Sequence, residues 1–181
     1  MIAEEIYLKG CFILAPTTYR DHRGLFFESY NQQAFEKIIG RKIDFIQDNH
    51  SVSNKGVLRG LHYQKGEYAQ AKLIRVVKGS VLDVCVDIRP ESETFGKHFS
   101  IILDGIDNKQ LFIPRGFAHG FLSLEDETIF NYKCDNYYNK ESEAGLRFDD
   151  PNLNIDWNFP LNNLILTEKD LQLPTLESII K

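Results

Sequence analysis

Four groups of side chains in this sequence are of types that move protons or hold anions. The first is Arg59-Gly60-Leu61-His62-Tyr63-Gln64, followed by Lys72. A histidine has an ordinary pKa of ~6.5, which makes it the side chain best suited to act as a general base near neutrality. In a strand, residues two apart share a face, so His62 can enter a cavity with a lysine of the next strand beside it. The second group is Pro114-Arg115-Gly116-Phe117-Ala118-His119-Gly120, where proline and glycine bracket a turn that delivers His119 onto a strand. The third is aromatic: Tyr132 with Lys133, then Tyr137 and Tyr138. A tyrosine can donate a proton, carry a stacked base or fill a core, and spacing does not choose among these. The fourth is Asp21-His22-Arg23-Gly24, leading through Leu25-Phe26-Phe27 to Glu28, together with Gln47-Asp48-Asn49-His50. The planar fork of arginine suits a diphosphate. Taken singly, each group is more often structural or solvated than functional.

The elements that must position these groups read as short strands between turns. Leu82, Val84, Val86 and Ile88 alternate with Val81, Asp83, Cys85, Asp87 and Arg89, the period of a half-buried strand. Residues 100–103, 110–113 and 128–132 are further strand candidates. Gly79, Asp104-Gly105, Asp107-Asn108 and Pro114-Arg115-Gly116 punctuate them. Asn31 can cap a helix running through Phe35 and Ile38, which Gly40 can end. Thr167 can cap a short turn at Glu168-Lys169-Asp170, and the segment after Pro174 reads as a small helical or irregular appendage. The pattern predicts a mainly β fold, a jelly-roll β-barrel with a few short peripheral helices.

The chain of 181 residues fits one domain spanning 1–181. It is 43% apolar and 26% charged, the balance of a globular protein. No apolar run approaches the ~20 residues that span a bilayer, so no membrane association is expected. Glu4 and Glu5 near the amino terminus do not fit a secretory signal. Cys11, Cys85 and Cys134 are widely spaced and odd in number, which predicts buried thiols in a reducing cytoplasm. The net charge of −5 argues against general nucleic-acid binding. A local convergence of Arg and Lys can still bind an anionic ligand.

The pattern Pro114-x-Gly116-x-x-His119 is similar to the second motif of cupins, which supplies one histidine ligand in the metal-binding members. The first cupin motif would place two histidines two residues apart, then an acidic ligand. Here Gln64 stands two residues after His62, and Glu67 falls only near the acidic position. A transition metal normally takes three or four protein donors, so the sequence predicts no metal.

In order along the chain, five stretches resemble the dTDP-4-dehydrorhamnose 3,5-epimerase family, which is cupin-like. They are Phe26-Phe27-Glu28-Ser29-Tyr30, Gln47-Asp48-Asn49-His50-Ser51, Leu58-Arg59-Gly60-Leu61-His62, Ile113-Pro114 with Gly116-Phe117-Ala118-His119-Gly120-Phe121, and Tyr132-Lys133 with Asn136-Tyr137-Tyr138. The resemblance implies His62 as general base, Asp170 as its partner, Lys72 beside the developing enolate oxygen and Tyr132 as the acid on the other face. It implies that Arg23, Glu28, Gln47, Asp48, Asn49, Arg59, Lys72, His119, Glu143 and Lys169 contact a dTDP-4-keto-6-deoxyhexose, with Tyr138 under the thymine. It also implies a homodimer, in which Arg23 or Glu28 reaches a neighbour's site. No cofactor is expected: no hydride leaves the sugar, and no convincing G-x-G-x-x-G fingerprint is present. Two alternatives stay open. One is a 3-epimerase or ketoisomerase on a related dTDP-sugar. The other is a non-catalytic cupin that binds a nucleotide sugar or a metal.

Overall fold

The structure is a computed structural model in which residues 1–180 are described. Its strands are β1 (Ile2–Glu5), β2 (Phe12–Ala15), β3 (Thr18–Asp21), β4 (Gly24–Phe27), β5 (Gln47–Ser53), β6 (Leu58–Gln64) and β7 (Lys72–Lys78). They continue with β8 (Ser80–Asp87), β9 (His98–Asp104), β10 (Gln110–Ile113), β11 (Phe117–Ser123), β12 (Thr128–Cys134) and β13 (Glu143–Gly145). The helices are α1 (Gln32–Ile39), α2 (Glu168–Leu171) and α3 (Leu176–Ile180).

A six-stranded sheet in the order β1-β2-β10-β7-β12-β5 faces a five-stranded sheet in the order β13-β6-β11-β8-β9, and every paired strand is antiparallel. The inward positions of both meet in one apolar core. Ile74, Val76, Leu111, Ile113 and Phe130 come from the larger sheet, and Val81, Cys85, Leu103, Phe117 and Phe121 from the smaller. Two interdigitating inner faces are the basis of a jelly-roll sandwich.

Each sheet is also covered on its outside. Phe35 of α1 and Ile43 pack on Leu14, Leu73 and Phe112 of the larger sheet. Asn31 Oδ1 accepts the Ala34 N–H at 3.1 Å and so caps α1. Gly40 ends the helix at φ 75°, where a side chain would be strained. Behind the smaller sheet, Leu146, Phe148, Leu153, Trp157 and Leu176 cover Leu58, Leu61, Leu82, Val84, Val86, Ala118 and Leu122.

That second cover corrects the expectation of a half-buried strand at residues 81–89. Every residue of β8 from Val81 to Asp87 is buried, because the chain after β13 folds back over the face that alternation alone would leave to solvent. The strands expected at 100–103, 110–113 and 128–132 are present as β9, β10 and β12. The cap at Thr167 and the helix after Pro174 are present as well.

The β3–β4 hairpin pairs only with itself in a separate two-stranded sheet. Tyr19 and Phe26 on it are exposed.

Candidate active site

Between the two sheets lies a cavity of about 440 Å³, lined from both walls and by the carboxyl-terminal segment. One wall is β6 and β11, where His62 and His119 are direct cross-strand partners. Those strands come very close together. A Cβ on Gly60, already at φ 133°, would lie 2.5 Å from the Gly120 backbone. The paired glycines therefore let the two histidine-bearing strands meet with both rings on the cavity side. The other wall is β7, β12 and β5, which bring Lys72, Tyr132 and Asn49.

His62 Nε2 lies 2.6 Å from Asp170 Oδ1, an oxygen supplied from 108 residues away by α2. Asp170 is 3% exposed. Burial pushes its pKa up, but the hydrogen bonds from His62 and Thr167 outweigh it and the net shift is downward. An ionised carboxylate only accepts, so Nε2 of His62 carries the proton and Nδ1 is left with a lone pair. Such a pair can abstract a proton and stabilise the resulting imidazolium.

Tyr132 faces this pair from the opposite sheet. Burial, helped by Cys134 and Glu143 and opposed by Arg59, pushes its phenol up to about 12. The hydroxyl is therefore protonated at neutral pH, as a proton donor must be. Lys72 Nζ lies 5.7 Å from the Tyr132 ring centroid and donates to Gln70 Oε1 at 3.0 Å. Burial lowers the Lys72 pKa, against the pull of Cys134 and Asp135. A cation held in so dry a place acts strongly on any oxyanion that develops near it.

At the rim, Glu143 joins two further residues. Its Oε2 accepts the Tyr138 hydroxyl at 2.8 Å and pairs with Lys169 Nζ at 2.5 Å. Tyr138 stays about half exposed, which leaves its ring available for stacking. Arg59 Nε donates to Ser53 Oγ at 3.2 Å.

Asn49, Arg59, His62, Lys72, His119, Tyr132, Tyr138, Glu143, Lys169 and Asp170 are thus brought together around one cavity. Arg23, Glu28, Gln47 and Asp48 are not among its lining residues. Arg23 sits at the exposed hairpin tip and is bound to Asp21. Glu28 accepts from Asn31 Nδ2 at 3.2 Å. Gln47 supports the site indirectly, since its Oε1 accepts the Tyr138 N–H and its Nε2 donates to Asn49, both at 3.0 Å. Asp48 does not line this cavity and pairs with Lys133 at 2.9 Å.

Two supporting residues escaped the sequence reading. Asp83 holds His119 Nε2 at 2.9 and 3.1 Å and is fully buried. The available signal was a carboxylate, one of two with Asp87, in an otherwise apolar strand, since Asp is almost never fully buried unless paired. Gln70, which grips Lys72, also donates to the Asn136 carbonyl at 2.9 Å, and no sequence pattern marks it. Gln64, where a metal cupin has its second histidine, accepts the Asn139 N–H at 3.0 Å and so anchors the loop of Tyr138.

Fold and site together define a class: a double-sheet jelly roll that sets a histidine–carboxylate pair against a partly buried tyrosine across a polar cavity, as proton transfer on opposite faces requires. The sequence pattern of dTDP-4-dehydrorhamnose 3,5-epimerase matches residues 5–178. The chain belongs to that family, whose members are isomerases. It is 51% identical to the dTDP-4-dehydrorhamnose 3,5-epimerase of Escherichia coli K12 over 174 residues, covering 96% of this chain and 94% of that one. The crystal structure of the Elizabethkingia anophelis epimerase superposes with a TM-score of 0.95 at 49% identity, covering 98% and 97% of the two chains. A Legionella pneumophila epimerase crystallised with dTDP-4-keto-L-rhamnose superposes at 0.94 with 43% identity, covering 98% of this chain and 94% of that one.

Proposed function

We propose that the chain converts dTDP-4-dehydro-6-deoxy-D-glucose to dTDP-4-dehydro-L-rhamnose, inverting carbons 3 and 5 through an enolate, in the formation of dTDP-L-rhamnose. The observation that carries this reading is the His62–Asp170 pair, from β6 and α2, on one side of the cavity with Tyr132 of the other sheet across from it. The carbonyl at carbon 4 acidifies the hydrogens on carbons 3 and 5. His62 Nδ1 removes one, Lys72 faces the enolate oxygen, and Tyr132 returns a proton from the opposite side. The diphosphate falls to Arg59 and the other cations of the rim, and thymine to Tyr138.

The functional unit in this reading is a homodimer. Support comes from the hairpin, which exposes Tyr19, Phe26 and Arg23, while Arg23 and Glu28 are absent from the lining of their own chain's cavity. The three buried free thiols fit a cytoplasmic enzyme. The reaction needs no cofactor, so turnover should survive exhaustive chelation.

The test is incubation with dTDP-4-keto-6-deoxyglucose in deuterium oxide, with NMR of carbons 3 and 5. Deuterium entry and inversion at both carbons are expected. Inversion at carbon 3 alone would make the chain a 3-epimerase, a carbonyl moved along the ring would make it a ketoisomerase, and binding without exchange would leave a nucleotide-sugar receptor.

A further inference from the structure

We infer that Thr167 is a positioning residue for the His62–Asp170 pair, its hydroxyl fixing one carboxylate oxygen so that the other meets the imidazole. Thr167 is the N-cap of α2, and its Oγ1 accepts the Asp170 N–H at 3.3 Å. The same hydroxyl donates to Asp170 Oδ2 at 2.7 Å, while Oδ1 takes His62 at 2.6 Å. The sequence Thr167-Glu168-Lys169-Asp170 has the spacing of a capping box, in which the acidic residue normally reaches back to the cap's own N–H. Here the acid is turned to the cavity, and the hydroxyl that caps the helix also orients it. Thr167 itself lines the cavity. A hydroxyl has one donor and two acceptor sites, so a single atom satisfies both tasks.

The consequence is specific. A four-residue helix has little rigidity of its own, yet the reaction needs a fixed carboxylate. Rotation of the carboxylate would free His62 to adopt the other tautomer and lose the lone pair facing the substrate. The groups bonded to Asp170 are His62 on β6 and Thr167 at the start of α2, while Glu143 on β13 and Lys169 of α2 pair with each other in the lining of the same cavity.

This inference rests on the epimerase reading for its kinetic test but not for its spectroscopic one. Three variants separate the two tasks of the hydroxyl. Thr167→Ser keeps cap and donor, Thr167→Gly keeps a residue favoured at the N-cap without a donor, and Thr167→Val removes both. Thr167→Ser should match the wild type. In Thr167→Gly and Thr167→Val, kcat should fall by roughly 10–100-fold, the loss of a charge-assisted hydrogen bond, with KM unchanged. Nitrogen-15 NMR of the histidines should show the Nε2–H tautomer of His62 in the wild type and a tautomer mixture in Thr167→Val. If Thr167→Val fails to fold, Thr167→Gly carries both readouts. Equal kcat in Thr167→Gly and Thr167→Ser, or an unchanged His62 tautomer, would overturn the inference. A wild type that exchanges no protons with the sugar but keeps the tautomer response would sink the epimerase reading alone.

Discussion

Two imidazole–carboxylate pairs stand side by side in this molecule and are built differently. His62 and His119 are register partners on β6 and β11, and each has a carboxylate within 3 Å. The His119 side chain is 8% exposed and its Asp83 is wholly buried. Asp83 comes from β8, adjacent to β11 in the same sheet, so the pair is a diagonal cross-strand contact. Phe130 stacks over the His119 ring at 6.1 Å. The His62 side chain is 33% exposed, and its Asp170 comes from a short helix at the mouth of the cavity. A carboxylate drawn from the sheet makes a fixed pair that ties two strands together. One brought in from outside the sheet leaves the imidazole partly exposed in the cavity. The chemistry of the two pairs is alike, and they differ in anchorage and exposure, the His62 pair being the more open to the cavity.

The largest expected effects would break this division if they fell on the wrong pair. His62→Ala should abolish deuterium entry at both carbons while leaving the unfolding midpoint near that of the wild type. Asp170→Asn should lose roughly 10²–10⁴-fold in kcat, since an amide does not stabilise imidazolium. Asp83→Ala should act on stability first. It leaves a buried ring donor without its acceptor, a cost of about 1–3 kcal/mol, or roughly 3–10 °C in Tm for a chain of this size. Thermal melts and single-turnover exchange on the three variants check this. Asp83→Ala with full stability and no exchange would place the chemistry at the wrong histidine.

Much of this arrangement was legible in the sequence, and the limits have physical causes. The motifs at Leu58–His62 and Pro114–His119 lie on strands whose turns and alternation are local, so their placement could be read directly. The link between His62 and Asp170 spans 108 residues, and no periodicity carries information over that distance; only the family resemblance suggested it. The burial of both faces of β8 depends on a segment that returns some 60 residues later, so alternation misjudged it. Arg23 and Glu28 do not line the cavity of their own chain.

A smaller effect sharpens the role of the first pair by separating proton removal from proton return. Tyr132→Phe keeps the ring, which packs against the core beside Phe130 at 6.0 Å, and removes only the hydroxyl. His62 can still take a proton and hand it back to the same face. Solvent deuterium should then enter with mostly retained configuration, and inverted product should fall much further than exchange. Equal losses of both would make Tyr132 part of enolate formation.

The smallest effect isolates what Asp170 contributes to folding. Its folded pKa lies below the ordinary aspartate value because the bonds from His62 and Thr167 outweigh burial. A carboxyl whose pKa is depressed by folding stabilises the native state above the unfolded value, here ~3.9. That stabilisation is lost as pH falls through the folded value, since the unfolded chain then takes up the proton first. Asp170→Asn has no proton to gain or lose at this site. The difference in Tm between wild type and Asp170→Asn should therefore shrink as the pH falls below about 4. Circular-dichroism melts across that range check it. A difference that grows as the pH falls below about 4 would mean that Asp170 is held protonated in the folded chain, and a protonated Asp170 could not keep Nδ1 of His62 free to act as the base.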